Sequence, residues 1–496
     1  MALIMLPFLL LFPLLYFIYK HKKSSNSTSN SNSPQLPPGP TPWPILGNIH
    51  HIKTMSHVTL YNLAKSYGPL MSLKLGTKRV IIASSSSFAL QILKVNDRIL
   101  SARDVPSAVP LTRSEIDQLS FWSDPWIDQW KNIRTKCRVE LFSSKGLDSQ
   151  ARMWEEKVTE MVEYLRGKEG MVVDVEELVF VTIFNVFSNA YFSRDFLKLE
   201  EEFGGNEVRV FLRGIIEALL AFNVSEFIPV LGKFDFQGLR KKHKEMSIKM
   251  HSLWEPAVKE RREKMESGNY SKQDFLDTLL EDGFNDVQIN KLFEELFTAG
   301  IDTTTSTINR TIIELMNNPD SMNKLQHELD TEFNQELLSN CNLLQLSTNY
   351  YLQACVKETL RLHPPAPLLL PHRARETCQV MNYTIPQNAH VLVNVWAIGR
   401  DPSMWDEPLE YRPERFIDSS LDFKGNDFEF LPFSAGRRIC PGLPMAAKIV
   451  PLVIGSLIRF FNWTRPPHGN DADVHEVLRA TSNMIHPFQL IPTARK

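Results

Sequence analysis

Apolar residues run almost unbroken from Ala2 to Tyr19, and Lys20, His21, Lys22 and Lys23 close the run. Its length is at the short end for a bilayer span, and Pro7 and Pro13 would kink it. A cleaved signal peptide carries its positive charges before the apolar stretch. Here they follow it, which reads as an anchor that keeps everything beyond it in the cytosol. Ser24 to Ser33 are nearly all Ser and Asn, a flexible linker. Pro34 to Pro44, with PPGP at Pro37–Pro40, cannot be helical and stiffens the chain. The expected division is an anchor over 1–23, a linker and proline-rich hinge over 24–44, and one large domain over 45–496.

Beyond the hinge the periodicity is mostly helical. Thr59 to Tyr67 predicts a helix stopped by Gly68-Pro69, and Leu70–Leu75 with Arg79–Ala83 predicts two strands joined at Gly76-Thr77. Ser101 to Asp128 has little periodicity; its Phe121, Trp122 and Trp126 are core or pocket lining. Gln129 to Leu141 predicts a helix with Trp130 and Arg134 on one face. Gln150 to Glu281 reads as several helices, with Trp154, Val158 and Val162 at helical spacing. Leu212 to Leu231, broken by Pro229, is core, an access lid or a membrane-contacting face.

Asn285 or Asp286 can cap a helix that runs to Asn317, roughly 45 Å long at the usual rise. Its stripe of Ile289, Leu292, Phe293, Leu296 and Phe297 resumes at Ile308, Ile312 and Leu315. Between these lies AGIDTTTST, Ala299 to Thr307, a cluster of poor helix formers that predicts a functional distortion. A further helix spans Asn349 to His363, strands cover Thr384–Pro386 and His390–Val395, and Leu443 to Leu457 is apolar with helical spacing.

The chain has 496 residues, 43% hydrophobic and 23% charged, with net charge −2. That is an ordinary globular balance and gives no sign of nucleic-acid binding. Cys137, Cys341, Cys355, Cys378 and Cys440 are scattered without a CxxC pair, so neither a disulfide framework nor a zinc site is indicated. Asn-x-Ser/Thr sequons occur at Asn26, Asn223, Asn269, Asn309, Asn382 and Asn462. A cytosolic domain predicts that none is glycosylated.

The chemistry centres on Phe433 to Gly442, FSAGRRICPG. Cys440 precedes a helix, with Pro441 suited to its first turn. The positive helix end and the neighbouring Arg437 and Arg438 would favour the thiolate. Gly436 and Gly442 would let the backbone approach a flat partner closely. A lone cysteine is more often structural, but this one stands in a pattern. Phe433, Gly436, Arg438, Cys440 and Gly442 match Phe-x-x-Gly-x-Arg-x-Cys-x-Gly, which resembles the haem-ligand loop of the cytochrome P450 family. The resemblance implies that Cys440 is the metal ligand to haem iron, that Phe433 packs beside the sulfur, and that Arg438 pairs with a haem propionate.

Other stretches resemble the same family. Trp130 and Arg134 match its Trp-x-x-x-Arg helix, where both residues hold a propionate, and His372 stands where relatives contact one. Ala299, Gly300, Asp302, Thr303 and Thr304 match the oxygen-activating motif: Ala299 and Gly300 would leave room for dioxygen, Thr303 would hydrogen-bond it, and Asp302 would relay protons. Arg310 departs from the usual pattern. Glu358 and Arg361, with Arg415 from PERF, would form a buried triad behind the haem loop. The implied substrate pocket takes Phe121, Leu296, Ala299, Leu368, Leu369 and Ser482, the last on a loop over Thr481–Ile485.

The implied fold is mainly α with a small β-rich lobe, a single large haem domain carrying haem b. The implied activity is that of a plant microsomal haem-thiolate monooxygenase, similar in form to the group containing geraniol 8-hydroxylase. It would oxidise a small apolar terpenoid, alkaloid or phenolic with O2. Electrons would come from NADPH through a separate reductase docked on Lys131, Lys136 and Arg138, with cytochrome b5 as a further partner, at the endoplasmic reticulum membrane. Two rivals are a haem-thiolate isomerase or dehydratase, which generally lacks the Asp-Thr pair, and a non-catalytic haem-binding scaffold.

Overall fold

Ser56 caps the first helix, α1 (His57–Tyr67), by accepting the Thr59 amide at 3.1 Å, and Gly68 at φ 99° ends it. The computed structural model describes residues 35–51, 56–109, 111, 115, 122–200, 204–232, 234–268, 271–333, 342–467 and 488–495. The expected anchor, the Ser/Asn linker, Phe121 and the loop carrying Ser482 lie outside them.

Strands β1 (Leu70–Leu75) and β2 (Lys78–Ala83) form the expected hairpin, Leu70 opposite Ala83 and Leu75 opposite Lys78. The proline-rich segment docks on this hairpin: Ser72 donates to Pro38 O from its amide at 2.7 Å and to Pro37 O from its hydroxyl at 2.8 Å. The sheet is completed by distant strands in the order β1-β2-β7-β4, where β4 is His372–Arg373 and β7 is His390–Val393. Only β2 and β7 run parallel. Two smaller sheets are β3 (Val173–Asp174) with β9 (Gln489–Ala494) and β8 (Phe461–Thr464), and β5 (Cys378–Val380) with β6 (Tyr383–Ile385).

The rest is helical. Its main helices include α2 (Asp128–Lys136), α3 (Ser144–Arg166), α4 (Val175–Phe192), α5 (Gly204–Leu220), α6 (Leu239–Glu266), α7 (Asp286–Asn317), α8 (Tyr350–Leu362) and α9 (Leu443–Phe460). The architecture is mainly α with a small β-rich lobe. α4 is apolar nearly all round and accordingly buried nearly all round. Its Phe184 and Phe192 pack on α7, with ring centres 4.9 Å from Phe297 and 4.5 Å from Phe293. On α6, Trp254 joins this aromatic cluster and donates Nε1–H to Asn290 at 2.8 Å. Among the described residues only α9 is long and apolar enough to cross a membrane, and most of it is core.

α7 begins as expected. Asn285 and Gln288 bond each other's backbone amides reciprocally at 3.0 Å, a capping box. Its centre shows no break: the helix runs unbroken over 32 residues. Thr303, Thr307 and Thr311 each donate to the carbonyl four residues back, at 2.7, 2.8 and 2.9 Å. The hydroxyls are satisfied along the helix wall, so a threonine-rich turn costs no break. α2 is shorter than expected because Cys137–Leu141 widens into a π-type turn. Asn223 and Asn309 are buried, which closes both sequons to glycosylation in the folded chain.

Candidate active site

The loop from Phe433 to Gly442 threads between the β-rich lobe and α9. Gly436 has φ +66°, and a Cβ there would stand 1.9 Å from the Leu93 carbonyl oxygen, so both conformation and space demand glycine. The Cys440 amide donates to Phe433 O at 3.0 Å, closing the loop on itself. Gly442 is the N-cap of α9 and Pro444 lies in its first turn. Pro441 therefore precedes the helix instead of opening it.

The expected thiol activation is also corrected. Burial pushes the Cys440 thiol up, against the opposing pull of the Gly442 and Leu443 amides and of Arg134. Arg437 turns outward to Asp97 at 3.3 Å. Arg438 turns to the Ser101 and Ser123 carbonyls, at 2.9 and 2.6 Å. The nearby guanidinium comes instead from α2, where Arg134 donates to Ile439 O.

Cys440 opens onto a cavity of about 830 Å³. Phe433, Arg438, Arg134 and His372 share the wall with it; Ala299, Asp302 and Thr303 come to it from α7, and Leu368 and Leu369 from the extended 365–371 segment. α5 adds Ile215, Ile216, Leu219 and Leu220, which makes the apolar 212–231 stretch largely a cavity wall; Trp122 lines it too. Leu296 does not belong to this wall. It packs in the main core, while Glu295 and Thr298 on either side of it face the cavity. One residue is about 100° of helical rotation, enough to turn Leu296 away. Gly300 is not on the wall either: a Cβ there would lie 2.7 Å from the Phe187 ring, so this glycine serves the α4–α7 contact.

Asp302 borders two spaces. One is the cavity; the other is a small polar pocket shared with Glu176, Arg209, Arg213, Asn309 and Arg310. Arg310 is buried there, on the side facing α4 and α5.

Cations gather at the β-lobe edge of the cavity. The guanidiniums of Arg134 and Arg438 lie 5.3 and 5.2 Å from the centre of the buried Trp130 ring. Arg103 joins them, a residue that the aperiodic stretch around it did not single out. Burial, with Arg438 and Arg134 beside it, holds the Arg103 guanidinium well below its ordinary range. Burial also lowers Arg438, to about 9, with Asp124 pulling the other way. His372 is driven down to about 3 by burial and by Arg103, although its bond to Leu100 O opposes this.

Behind the loop stands the expected triad. Arg361 bonds both Glu358 oxygens, at 2.7 and 2.8 Å, and Arg415 Nε reaches Glu358 Oε1 at 3.1 Å. Glu358 is fully buried. Further donors of Arg361 satisfy the Gly399, Pro408 and Glu410 carbonyls at 2.5, 2.7 and 3.1 Å. Those of Arg415 take Asp406 O and Glu407 O. The triad thus ties α8 to the 399–416 segment.

Comparison with known families places these features together: the profile for Cytochrome P450 matches residues 37–491. The chain belongs to the cytochrome P450 family. It is 43% identical over 465 residues to (S)-N-methylcoclaurine 3'-hydroxylase isozyme 1 of Eschscholzia californica, covering 93% of this chain and 94% of the relative. It is 42% identical to corytuberine synthase of Coptis japonica, over 93% and 94% of the two chains. It is 36% identical to 7-ethoxycoumarin O-deethylase of Helianthus tuberosus, over 92% and 94%.

This P450 is a monooxygenase, and its cofactor is haem b. The residues present fit that group. Trp130 Nε1 and His372 Nε2 are buried polar atoms with no hydrogen-bond partner among the described residues, and beside them lie three mutually repelling guanidiniums. Such a set calls for anions, and haem brings two propionates to it. On the thiol side Gly442 has no side chain, and a Cβ there would lie 3.9 Å from the Cys440 sulfur.

Proposed function

We propose that this P450 hydroxylates or otherwise oxidises a small, largely apolar specialised metabolite of the alkaloid, phenolic or terpenoid kind, an aromatic alkaloid first among them. The observation that carries this is the cavity itself: Cys440 opens into it, and Ala299, Asp302 and Thr303 line it from α7. Names of the relatives add that 3'-hydroxylation of (S)-N-methylcoclaurine and O-deethylation of 7-ethoxycoumarin occur on similar chains.

In this reading the Cys440 thiolate is the proximal ligand, with Phe433 packed beside it. Trp130, Arg134, Arg438, His372 and Arg103 take the propionates. When bound, the haem supplies the reduction of O2 that places one oxygen atom on the substrate and releases the other as water. The chain positions, shields and supplies protons. Ala299 leaves space where a larger side chain would block it. Thr303 already donates to Ala299 O; its oxygen keeps lone pairs for a proton arriving from the cavity side, and its proton can turn inward. Asp302, bordering both cavity and polar pocket, is placed to pass protons between them. Leu368 and Leu369 press the substrate toward the Cys440 side and exclude water.

Two electrons and two protons balance each turnover, and the electrons come from NADPH through a separate reductase. Its proposed docking face is α2 with the turn that follows it, where Lys131 pairs with its exposed neighbour Asp128 at 2.9 Å, Lys136 pairs with Asp282, and Arg138 is exposed; cytochrome b5 would share this face. Residues 1–23 would hold the protein on the endoplasmic reticulum membrane. The isomerase or dehydratase reading is disfavoured because both Asp302 and Thr303 are present on the cavity wall.

The test is product formation with reductase and NADPH across an alkaloid, phenolic and terpenoid panel. NADPH-dependent oxygenated product, coupling poorly in Thr303→Ala, supports the monooxygenation. Turnover of hydroperoxides without NADPH, and none with it, overturns it.

A further inference from the structure

A second loop, 421–427, lies directly on the cysteine loop. Gly425 has φ +80°, and a Cβ there would stand 2.9 Å from Ile439 Cδ1, 3.1 Å from Ser434 O and 3.2 Å from the Ala435 Cα. The two backbones touch with no side chain between them, and only glycine allows it. Two residues earlier, Phe423 sets its ring edge-to-face on Phe433, with centres 5.3 Å apart and planes at 64°. Phe433 is joined in turn to the cysteine, because its carbonyl accepts the Cys440 amide at 3.0 Å. Phe423, Phe433 and Cys440 all line the cavity, as do Val356 and Leu360 of α8 and Val450 of α9.

The loop is itself anchored. Lys357, on α8, donates to Leu421 O at 3.0 Å and places its ammonium 5.8 Å from the centre of the Phe423 ring. Asp427 accepts the Asp422 amide at 2.8 Å, which stitches the two ends of the loop together. The next residue of α8 is Glu358, so the buried triad also fixes the root of this brace. A ring held this firmly against Phe433 leaves it little freedom to swing away from the sulfur.

We propose that Phe423 is a positioning residue for the iron ligand. Through Phe433 it keeps the surroundings of the Cys440 sulfur apolar, and so holds down the reduction potential of the bound haem. The sign follows from charge. Ferric iron, the porphyrin dianion and a thiolate sum to zero, and an added electron leaves the set anionic. An apolar surrounding disfavours that charged, reduced form. Water admitted to the sulfur would favour it, and would also hydrogen-bond the thiolate. This rests on the haem-thiolate reading above.

The test is a potentiometric titration of the purified holoenzyme, read from the Soret band and independent of turnover. Phe423→Ala should raise the ferrous-to-ferric ratio at a fixed solution potential by about threefold or more, which is about 30 mV for a one-electron couple. Phe423→Leu should move it in the same direction by less. Phe423→Tyr keeps the ring and should stay within about 1.5-fold of wild type. Phe428→Leu, on the same stretch but packed in the β-lobe core, should lower the melting temperature and leave the ratio unchanged. Wild-type potentials in both Phe423→Ala and Phe423→Leu overturn the proposal. So does a fall in potential, or an equal rise in Phe428→Leu. Loss of haem from both Phe423→Ala and Phe423→Leu overturns it as well, and assigns Phe423 to the fold alone. Failure of the haem-thiolate reading would appear separately, in the reduced CO spectrum of the wild type.

Discussion

The guanidinium of Arg438, from the cysteine loop, lies 5.2 Å from the centre of the Trp130 ring, on α2. Arg134 lies 5.3 Å from the same ring. Two mutually repelling cations thus share one indole, whose own N–H has no partner among the described residues. This arrangement makes sense as one half of an anion site.

Removing a member of that site should loosen haem and spare the fold. Arg103→Ala and Arg438→Ala are each expected to weaken haem retention by about tenfold to a hundredfold, the worth of a charge-assisted hydrogen bond. Haem transfer to a scavenging apoprotein, followed beside far-ultraviolet circular dichroism, measures both. Unchanged haem retention in Arg103→Ala would remove that residue from the site.

The triad should behave in the opposite way. Arg361→Ala strands a buried carboxylate and three carbonyls and is expected to cost about 3–5 kcal/mol, with loss of soluble protein. Arg415→Lys keeps the charge but not the fork that also binds Asp406 O and Glu407 O. Its melting temperature should fall between those of wild type and Arg361→Ala.

Gly300→Ala tests whether the motif glycine serves packing. The added methyl meets the Phe187 ring at 2.7 Å, and overpacking of this kind costs about 1–3 kcal/mol. Thermal unfolding should show the loss, and Phe187→Leu should restore part of it. A Gly300→Ala protein of full stability would return the glycine to an oxygen-pocket role.

Stability should fall in acid through Glu294. Burial raises its carboxyl, but His251, Lys291 and His243 outweigh burial and hold it at about 2, against 4.5 for a free side chain. A depressed acid stabilises the folded state above its unfolded pKa and loses that contribution as pH falls through the folded value. The loss therefore runs from about pH 4.5 down to about 2. Melting temperatures over that range should drop more steeply in wild type than in Glu294→Gln.

Much of this was legible in the chain, for definite reasons. Helix α7 carries its cap in Asn285 and its period in Ile289, Leu292 and Phe293, so its limits could be read to within a residue. The cysteine loop and the Glu358–Arg361 pair show themselves through fixed local spacing. What could not be read depends on elements far apart in sequence. Arg103 lies in an aperiodic stretch, and only folding carries it to Arg134 and Arg438. Leu296 shares the apolar period of its helix, and which side of that helix meets the cavity is decided by α4 and α6. The place of Pro441 turned on two residues of helix register, and the pKa of Cys440 on burial, which no local motif reports.

The most direct measurement is the reduced, CO-bound difference spectrum of the holoprotein, wild type beside Cys440→Ala. A Soret band at the haem-thiolate position in wild type, absent from a Cys440→Ala protein of normal fold, is the predicted result. A wild type that binds haem without that band, or a Cys440→Ala protein that keeps it, would contradict the assignment of Cys440 as the iron ligand.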